Sequence, residues 1–312
     1  MYNPTKVDIR KLKKIVARAE EIAEWGKTHW FTTSEEDPGQ GATRRALAAN
    51  VDLVMAAGGD GTVRAVAETL RGRGIPIALL PLGTGNLLAR NLGLPLNSIE
   101  RSVADAFTGA DHPIDLGLSE ITREGGEVEE NVFLVMAGLG LDARMIALTD
   151  SKLKKAVGWL AYVDAGMRAL PSLKPVRLRY SVDSGPERQL SVHTILIGNC
   201  GALPGGILLM PDAKPDDGIL DVAALRPQGR LGWLRVWNKV TWENGVLRKT
   251  AAGRKIIDLS KDVKDVSYFQ CRSLGITVDH PYAFQLDGDE FGKAVSVHIR
   301  VEPGALTVKV PA

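Results

Sequence analysis

Residues 54–63 read Val-Met-Ala-Ala-Gly-Gly-Asp-Gly-Thr-Val, a short apolar run that ends in a glycine-rich turn with one carboxylate and one hydroxyl. Apolar residues then recur at helical spacing from Val63 to Leu70. A strand, a glycine turn and a helix N-terminus together predict a phosphate site, because glycine lets oxygens approach the backbone and the first helical N–H groups point at the anion. The turn fits neither the Walker pattern nor the dinucleotide pattern. Because a carboxylate repels phosphate, we expect Asp60 to act through Mg²⁺ or water.

A second glycine turn follows the next strand. Residues 75–80 are apolar and are predicted to form a buried strand, Pro81-Leu82-Gly83-Thr84-Gly85-Asn86 forms the turn, and Leu87–Leu92 has helical character and ends near Gly93. Two such units side by side place both turns at the carboxyl edge of one parallel sheet, where ligands bind in open α/β folds.

Together the two glycine turns resemble those of the diacylglycerol kinase catalytic-domain family, whose superfamily includes sphingosine and ceramide kinases. The first turn alone also resembles NAD kinases and phosphofructokinases, whereas the pair is specific. The resemblance implies an N-terminal α/β nucleotide-binding domain of the NAD kinase and diacylglycerol kinase type that binds ATP with Mg²⁺, with Asp60 as a catalytic residue. It assigns these residues to the nucleotide: Asn3, Thr32, Thr33, Gly58, Gly59, Asp60, Gly61, Thr62, Val63, Arg64, Gly83, Thr84, Gly85, Asn86 and Asp115.

The first residues look like the end of a strand that enters a turn. Members of the family open with an apolar strand running into Asn-Pro, so we expect either an upstream start or a shortened first strand, and we favour the upstream start. Asn3 matches the nucleotide-contacting Asn of the family. A helix is predicted over residues 7–27 and a second strand over His29–Thr33, where Thr33 is preferred to Thr32 as the nucleotide contact.

From about residue 115 the pattern becomes alternating, which predicts a second domain that is mostly antiparallel β. We predict an ATP-binding domain over residues 1–112, joined by the last strands near 296–312, and a β-rich lipid-substrate domain over 113–295. The predicted strands are Val132–Ala137, Val176–Val182, Leu190–Ile197, Leu220–Leu225, Gly275–Val278, Tyr282–Leu286, Val295–Val301 and Leu306–Val310. Two helical interruptions, Lys152–Leu170 and Leu231–Trp242, carry basic residues or tryptophans beside an apolar stripe. Each is predicted either to pack on the β domain or to contact a membrane surface.

Two acidic turns complete the predicted site. The stretch from Gly205 to Val222 resembles a family segment that binds a structural Mg²⁺, which implies ligands from the Asp217 side chain and from the carbonyls of Lys214 and Ile219. The other reading of this stretch is a solvated Asp-Asp-Gly turn. In Asp287-Gly288-Asp289-Glu290, the resemblance makes Asp289 the general base, with Glu290 as the second candidate.

Composition excludes several classes of protein. The chain has 312 residues, 45% of them apolar and 24% charged, as in globular proteins, and a net charge of +2 that gives no support for nucleic-acid binding. Its two cysteines, Cys200 and Cys271, are too few for a disulfide framework, and no apolar run is long enough to span a bilayer. We therefore predict a cytoplasmic protein that makes peripheral contact with the inner face of the membrane. We do not expect it to bind nucleic acid, and the sequence leaves open whether it forms a homodimer.

The sequence therefore predicts an ATP- and Mg²⁺-dependent lipid kinase, with diacylglycerol as the acceptor by resemblance. The alternatives are an NAD kinase-like enzyme and a weakly catalytic lipid- or nucleotide-binding regulator of the same fold. Two departures from the family pattern occur at the glycine turns, since Leu87 stands where many members have Asp and Ala65 stands where many have Glu, and neither removes the phosphate-binding backbone. Leu87 and the short start of the chain favour the regulator.

Overall fold

The computed structural model describes residues 1–140, 175–203, 207–227, Gly232 and 265–312. Two compact units divide the chain. Unit 1 comprises Met1–Leu116 and Pro303–Ala312, and unit 2 comprises Gly117–Glu302. The helices and strands confirm the predicted fold class, because unit 1 alternates helices with parallel strands and the described part of unit 2 is mostly antiparallel β.

Unit 1 holds the helices and the parallel strands. Its elements are α1 (Ile9–Ala23), α2 (Gln40–Ala48), β1 (Val54–Gly58), α3 (Asp60–Leu70), β2 (Ile77–Pro81), α4 (Leu87–Asn91) and α5 (Ile99–Thr108). Strands β1 and β2 pair in parallel from Val54↔Ile77 to Gly58↔Pro81, as the sequence predicts. Strand β3 (Ala110–Thr122) begins in this unit, and β14 (Asp289–Val310) ends in it, where Val308 pairs in parallel with Ile77.

The core of unit 1 explains why its helices form where they do. Helix α1 starts at the N-cap Asp8, whose carboxylate accepts from the N–H groups of Arg10 and Lys11. Its apolar stripe and that of α5 pack on the sheet, and the buried members of this cluster are Leu12, Val16, Ala57, Leu80, Val103 and Phe107. This packing holds the parallel strands in place, and the glycine turns follow at the carboxyl ends of those strands.

Unit 2 is built from antiparallel strands. Its described elements are β4 (Val128–Phe133), β5 (Met136–Leu139), β6 (Val176–Val182), β7 (Arg188–Val192), β8 (Thr194–Gly198), β9 (Ala202–Leu203), β10 (Ile207–Leu208), β11 (Leu220–Leu225), β12 (Val266–Cys271) and β13 (Ser273–Leu286). The main sheet runs β14-β13-β5-β8-β11-β12, and the β6–β7 hairpin is added to β13. Large side chains fill its core, among them Phe133 and Phe284, which are 0% exposed.

Several predicted strands differ from the observed ones. His29–Thr33 is not a strand but a single parallel bridge from Thr32 to Tyr2, because the chain turns away from the sheet just after Tyr2. The predicted strand Val132–Ala137 is broken into β4 and β5, because a carboxylate takes the backbone N–H groups at the break. Leu190–Ile197 is broken at His193 into β7 and β8.

Other predicted strands turn out to be continuous. Gly275–Val278 and Tyr282–Leu286 join into β13 across a register shift, and the last two predicted strands join into β14. Strand β12 was not predicted, because Tyr268 and Phe269 are adjacent and interrupt the alternation of apolar and polar residues in its sequence. The predicted helices Lys152–Leu170 and Leu231–Trp242 lie outside the described residues, Gly232 excepted. Within the described ranges, no helix has both the length and the apolar character needed to cross a membrane.

Candidate active site

The two glycine turns meet at the carboxyl edge of the parallel strands. Gly58 and Pro81 are the last paired residues of β1 and β2, so the turns that follow them start side by side. A Cβ added to Gly83 would lie 2.6 Å from the Cα of Gly59, closer than real Cβ atoms come to any backbone. The two turns therefore approach each other backbone to backbone, which only glycine at position 83 allows.

The first turn leads directly into α3. Gly59 is the N-cap, and no side chain from the described residues caps the helix there, so the first-turn N–H groups of Gly61 and Thr62 present the positive end of an 11-residue helix. Thr62 is 8% exposed and packs against Gly58, where a Cβ would lie 2.8 Å from the Thr62 Cβ. Val63 is buried and Arg64 half-buried in the same turn. This backbone is suited to hold an anion.

Asp60 joins the two turns. Its Oδ1 accepts a hydrogen bond of 2.6 Å from the backbone N–H of Leu87, the first residue of α4. Its Oδ2 lies 2.6 Å from the position that a Cβ on Gly85 would occupy. The Asp60 side chain therefore lies against the second turn, and it occupies the space that a side chain at position 85 would need.

Asn86 shapes the second turn through its own side chain. It adopts the left-handed conformation with φ +48°, and it is 8% exposed. Its Oδ1 accepts from the Gly83 N–H at 2.9 Å, and its Nδ2 donates to the Gly83 carbonyl at 2.9 Å. Arg90 adds a hydrogen bond of 2.7 Å from Nε to the Gly85 carbonyl, while Thr84 at the tip is exposed. The turn therefore has a fixed shape built from its own residues.

The chain near Asn3 lies at the end of β1. The Asn3 N–H donates to the Ala57 carbonyl at 3.1 Å, and the Asn3 carbonyl accepts from the Lys6 N–H at 3.1 Å, which closes a turn with Pro4 at its second position. The Asn3 Oδ1 accepts from both the N–H and the hydroxyl of Thr5, at 3.0 and 2.7 Å. Asn3 thus holds the turn together in this structure.

A residue that sequence reasoning missed lies at this turn. The Lys6 Nζ is 3.4 Å from the position that a Cβ on Gly59 would occupy, so an ammonium group lies beside the first glycine turn. The signal in the sequence was the position of Lys6 two residues after Pro4, in Asn3-Pro4-Thr5-Lys6. The two threonines differ in their surroundings, since Thr32 is exposed, whereas Thr33 is 4% exposed and its hydroxyl donates to the Tyr2 carbonyl at 3.5 Å.

Asp115 lies inside unit 1 on β3. It is 3% exposed, and its Oδ1 accepts from the Gly304 N–H at 2.8 Å. The side chain therefore holds the returning C-terminal segment of the same unit. Its assignment to the nucleotide phosphates stays a prediction.

In unit 2, Asp287 and Gly288 form the two-residue turn of the β13–β14 hairpin. Leu286 pairs with Asp289 across this turn, and the two central residues have φ +51° and +88°, the positive values of a type I′ turn. Asp289 and Glu290 open β14, where both side chains are exposed. Adjacent residues on a strand point to opposite faces, so the two carboxylates are directed differently.

The Asp287 carboxylate is engaged by the backbone. It is 7% exposed, its Oδ2 accepts from the Leu134 N–H at 2.9 Å, and its Oδ1 accepts from Val135 and Met136 at 2.8 and 3.1 Å. The Asp287 N–H returns a hydrogen bond of 2.9 Å to the Met136 carbonyl. These bonds break the strand between β4 and β5 and hold the hairpin turn in place beside them.

The acidic turn before β11 is shaped by Asp217 and Gly218. The Asp217 Oδ1 accepts from the Ile219 N–H at 3.1 Å, Gly218 has φ +72°, and both Lys214 and Asp217 are exposed. In the described ranges no three His, Cys, Asp or Glu side chains come together to hold a metal. A cation bound here would therefore take one carboxylate plus backbone carbonyls, which is an oxygen set that Mg²⁺ accepts.

Nearby, Asp221 is a buried acidic residue with a raised pKa. Burial raises the pKa of Asp221 to about 6, against a hydrogen bond from Gln270 that lowers it, and the charges of Asp212 and Asp217 raise it further. The carboxyl is 8% exposed. Negative charge is thus concentrated around this turn, which favours a cation over an anion.

The chemistry of Asp60 is compatible with a bound Mg²⁺. Its carboxylate supplies hard oxygen of the kind that Mg²⁺ takes, and it lies between the two turns whose backbone is suited to phosphate. Leu87 supplies only its backbone N–H to Asp60 at this point, and its side chain has no oxygen to offer a cation.

A parallel α/β unit with a phosphate-type glycine turn, followed by an antiparallel β unit, defines a two-domain kinase-like architecture. The model of the diacylglycerol kinase catalytic domain matches residues 1–119, and that of the YegS C-terminal NAD kinase beta sandwich-like domain matches residues 135–310. The chain belongs to this family of diacylglycerol kinases and YegS-like lipid kinases, which confirms the resemblance.

Individual relatives agree with this placement. A protein named probable lipid kinase YegS-like from Pseudomonas aeruginosa PAO1 is 34% identical over 286 residues, which cover 90% of this chain and 83% of that protein. A diacylglycerol kinase from Bacillus subtilis 168 is 31% identical over 76% of each chain. A solved diacylglycerol kinase from Bacillus anthracis has the same fold, with a TM-score of 0.66 at 20% identity over 97% of this chain and 92% of that one.

Proposed function

We propose that this protein is a lipid kinase that transfers the γ-phosphoryl group of ATP to a lipid hydroxyl, with diacylglycerol as the acceptor. The observation that carries the proposal is the contact between the two glycine turns, with Asp60 hydrogen-bonded across it to Leu87. The names of the relatives support a lipid acceptor.

In this proposal, unit 1 binds and orients the nucleotide. The N–H groups at the start of α3 and in the second turn donate to phosphate oxygens, and Asn86 keeps the second turn in the shape that the phosphates need. The Asp60 oxygens, together with the nucleotide phosphates, would hold a Mg²⁺ ion, which on binding screens the charge of those phosphates.

Unit 2 would supply the acceptor side of the reaction. The exposed carboxylate of Asp289 accepts the proton of the lipid hydroxyl as the oxygen–phosphorus bond forms and the bond to the leaving ADP breaks. The turn of Asp217 would hold a second Mg²⁺ that stabilises unit 2 without entering the chemistry.

The direct test is phosphoryl transfer from labelled ATP to extracted membrane lipids with purified protein, followed by identification of the labelled product. Labelled phosphatidic acid is expected, and Asp60→Asn should abolish it while leaving the unfolding midpoint within a few degrees. Label on another lipid would correct the acceptor, and label on NAD supplied in the same assay would favour the NAD kinase alternative. Nucleotide binding without any transfer would favour a regulatory protein.

A further inference from the structure

Lys6 is a lysine whose ammonium group lies against the first glycine turn, and neither the family resemblance nor the proposed mechanism gives it a role. Its Nζ lies 3.4 Å from the position of a Cβ on Gly59, and the Cα of Gly83 lies 3.4 Å from the same position. The ammonium group is therefore beside the point where the two turns meet. The residue is exposed, so a ligand can reach it.

Local structure fixes the place of Lys6. The Asn3–Lys6 turn is closed by a backbone hydrogen bond, Pro4 presets its second position, and the Asn3 side chain holds Thr5. The turn is anchored to the sheet because the Asn3 N–H donates to Ala57, two residues before Gly59. The base of the Lys6 side chain is thus held at the end of β1, while its flexible stem leaves the ammonium free to follow a ligand.

Two positive features converge at this point. The N-terminus of α3 carries about half a positive charge, and the Lys6 ammonium adds a full one. The closest carboxylate of the turn, Asp60, is directed through Oδ1 at Leu87. An anion seated on the glycine turns would receive both the helix N–H groups and the ammonium, whose three donors suit phosphate oxygens.

We propose that Lys6 is a nucleotide-binding residue whose ammonium donates to the phosphate oxygens of ATP on the Gly59 and Gly83 turns. The inference rests on the proposed function, since it names a further contact of the same ATP. Lys6 adds a side-chain cation to the backbone N–H groups of the two turns, and it makes ATP affinity depend on salt concentration.

The test is a comparison of Lys6→Met, which keeps the stem and removes the charge, with Lys6→Arg and with the control Lys14→Met. Lys14 is an exposed lysine on α1 that no described contact engages. Calorimetric titration with Mg-ATP should give a Kd about three- to ten-fold weaker for Lys6→Met, because the contact is charge-assisted but partly screened by water. Lys6→Arg should recover part of the affinity, and Lys14→Met should match wild type.

A second readout separates binding from structure. The unfolding midpoint without ligand should be equal in all four proteins, KM for ATP should rise in Lys6→Met with little change in kcat, and high salt should reduce the difference between wild type and variant. Equal Kd values for wild type and Lys6→Met, or equal weakening by Lys14→Met, would overturn the assignment and leave the proposed function intact. Failure of the wild-type protein to bind ATP would overturn the proposed function itself.

Discussion

Gly83→Ala tests whether the contact between the glycine turns builds the site. The new methyl carbon would lie 2.6 Å from the Gly59 Cα and 2.9 Å from the Asn86 Oδ1. Carbon atoms in contact prefer separations of about 3.5–4.0 Å, so the two turns must move apart by about 1 Å. Gly83 does not have a positive φ, so alanine causes no backbone strain there, and any loss of activity comes from the steric clash between the turns.

The magnitude follows from that displacement. A misplacement of about 1 Å at a catalytic site costs about 10²-fold in rate, and overpacking costs about 1–3 kcal/mol of stability. We therefore expect kcat/KM for ATP to fall about 10²-fold, with a midpoint lowered by roughly 2–10 °C. Gly26→Ala is the matched control, since its new methyl group would meet nothing within 4 Å and its φ is not positive.

The assays are labelled phosphoryl transfer, ATP titration and thermal unfolding on the same preparations. Loss of ATP affinity in Gly83→Ala, with Gly26→Ala at the wild-type value, is the expected result. If Gly83→Ala binds ATP as well as the control does, the close approach of the turns does not form the phosphate site and the argument from this contact is refuted.

Three further predictions concern carboxylates of unit 2. Asp289→Asn should lower kcat by about 10²–10⁴-fold with ATP affinity nearly unchanged, whereas Glu290→Gln should cost much less; the reverse order in steady-state kinetics would make Glu290 the base. Asp217→Ala should abolish the rise in unfolding midpoint that Mg²⁺ produces without ATP, and an unchanged rise would place that ion elsewhere. Burial raises the pKa of Asp221 from 3.8 to about 6, so the folded state holds a proton that the unfolded state has lost, and the metal-free protein should lose stability as the pH rises from about 4 to about 6; Asp221→Asn should lack this loss, and equal pH profiles of denaturant unfolding for the two proteins would disprove the prediction.

The sequence predicted the parts of the fold that depend on local pattern. Apolar runs ending in glycine gave β1 and β2, because a buried parallel strand needs only a continuous apolar stretch and a turn. Glycine and Asn at fixed places in the second turn predicted its tight shape, since Asn86 adopts positive φ without help from distant residues.

Long-range pairing accounts for what the sequence did not predict. The break between β4 and β5 is caused by Asp287, which is more than 150 residues away in the sequence, so the residues around the break do not predict it. Lys6 was missed for a related reason. A lysine after a turn is ordinarily a solvated side chain, and only the anchoring of that turn to Ala57 places it beside Gly59.

The two aspartates at the β13–β14 hairpin, Asp287 and Asp289, have different surroundings and therefore suit different roles. Both residues are aspartates separated by one glycine, and the spacing does not say which is structural. The fold separates them, because three backbone N–H groups converge on the buried Asp287 while Asp289 stands exposed at the start of β14. A general base must reach a proton on an incoming hydroxyl, so access favours Asp289 for that role. A base must also be held in place, and in the proposed mechanism Asp287 would do this for Asp289, since its carboxylate fixes the turn to Leu134–Met136. The exposed Asp289 carboxylate therefore follows a turn that the buried Asp287 carboxylate ties to the backbone of Leu134–Met136.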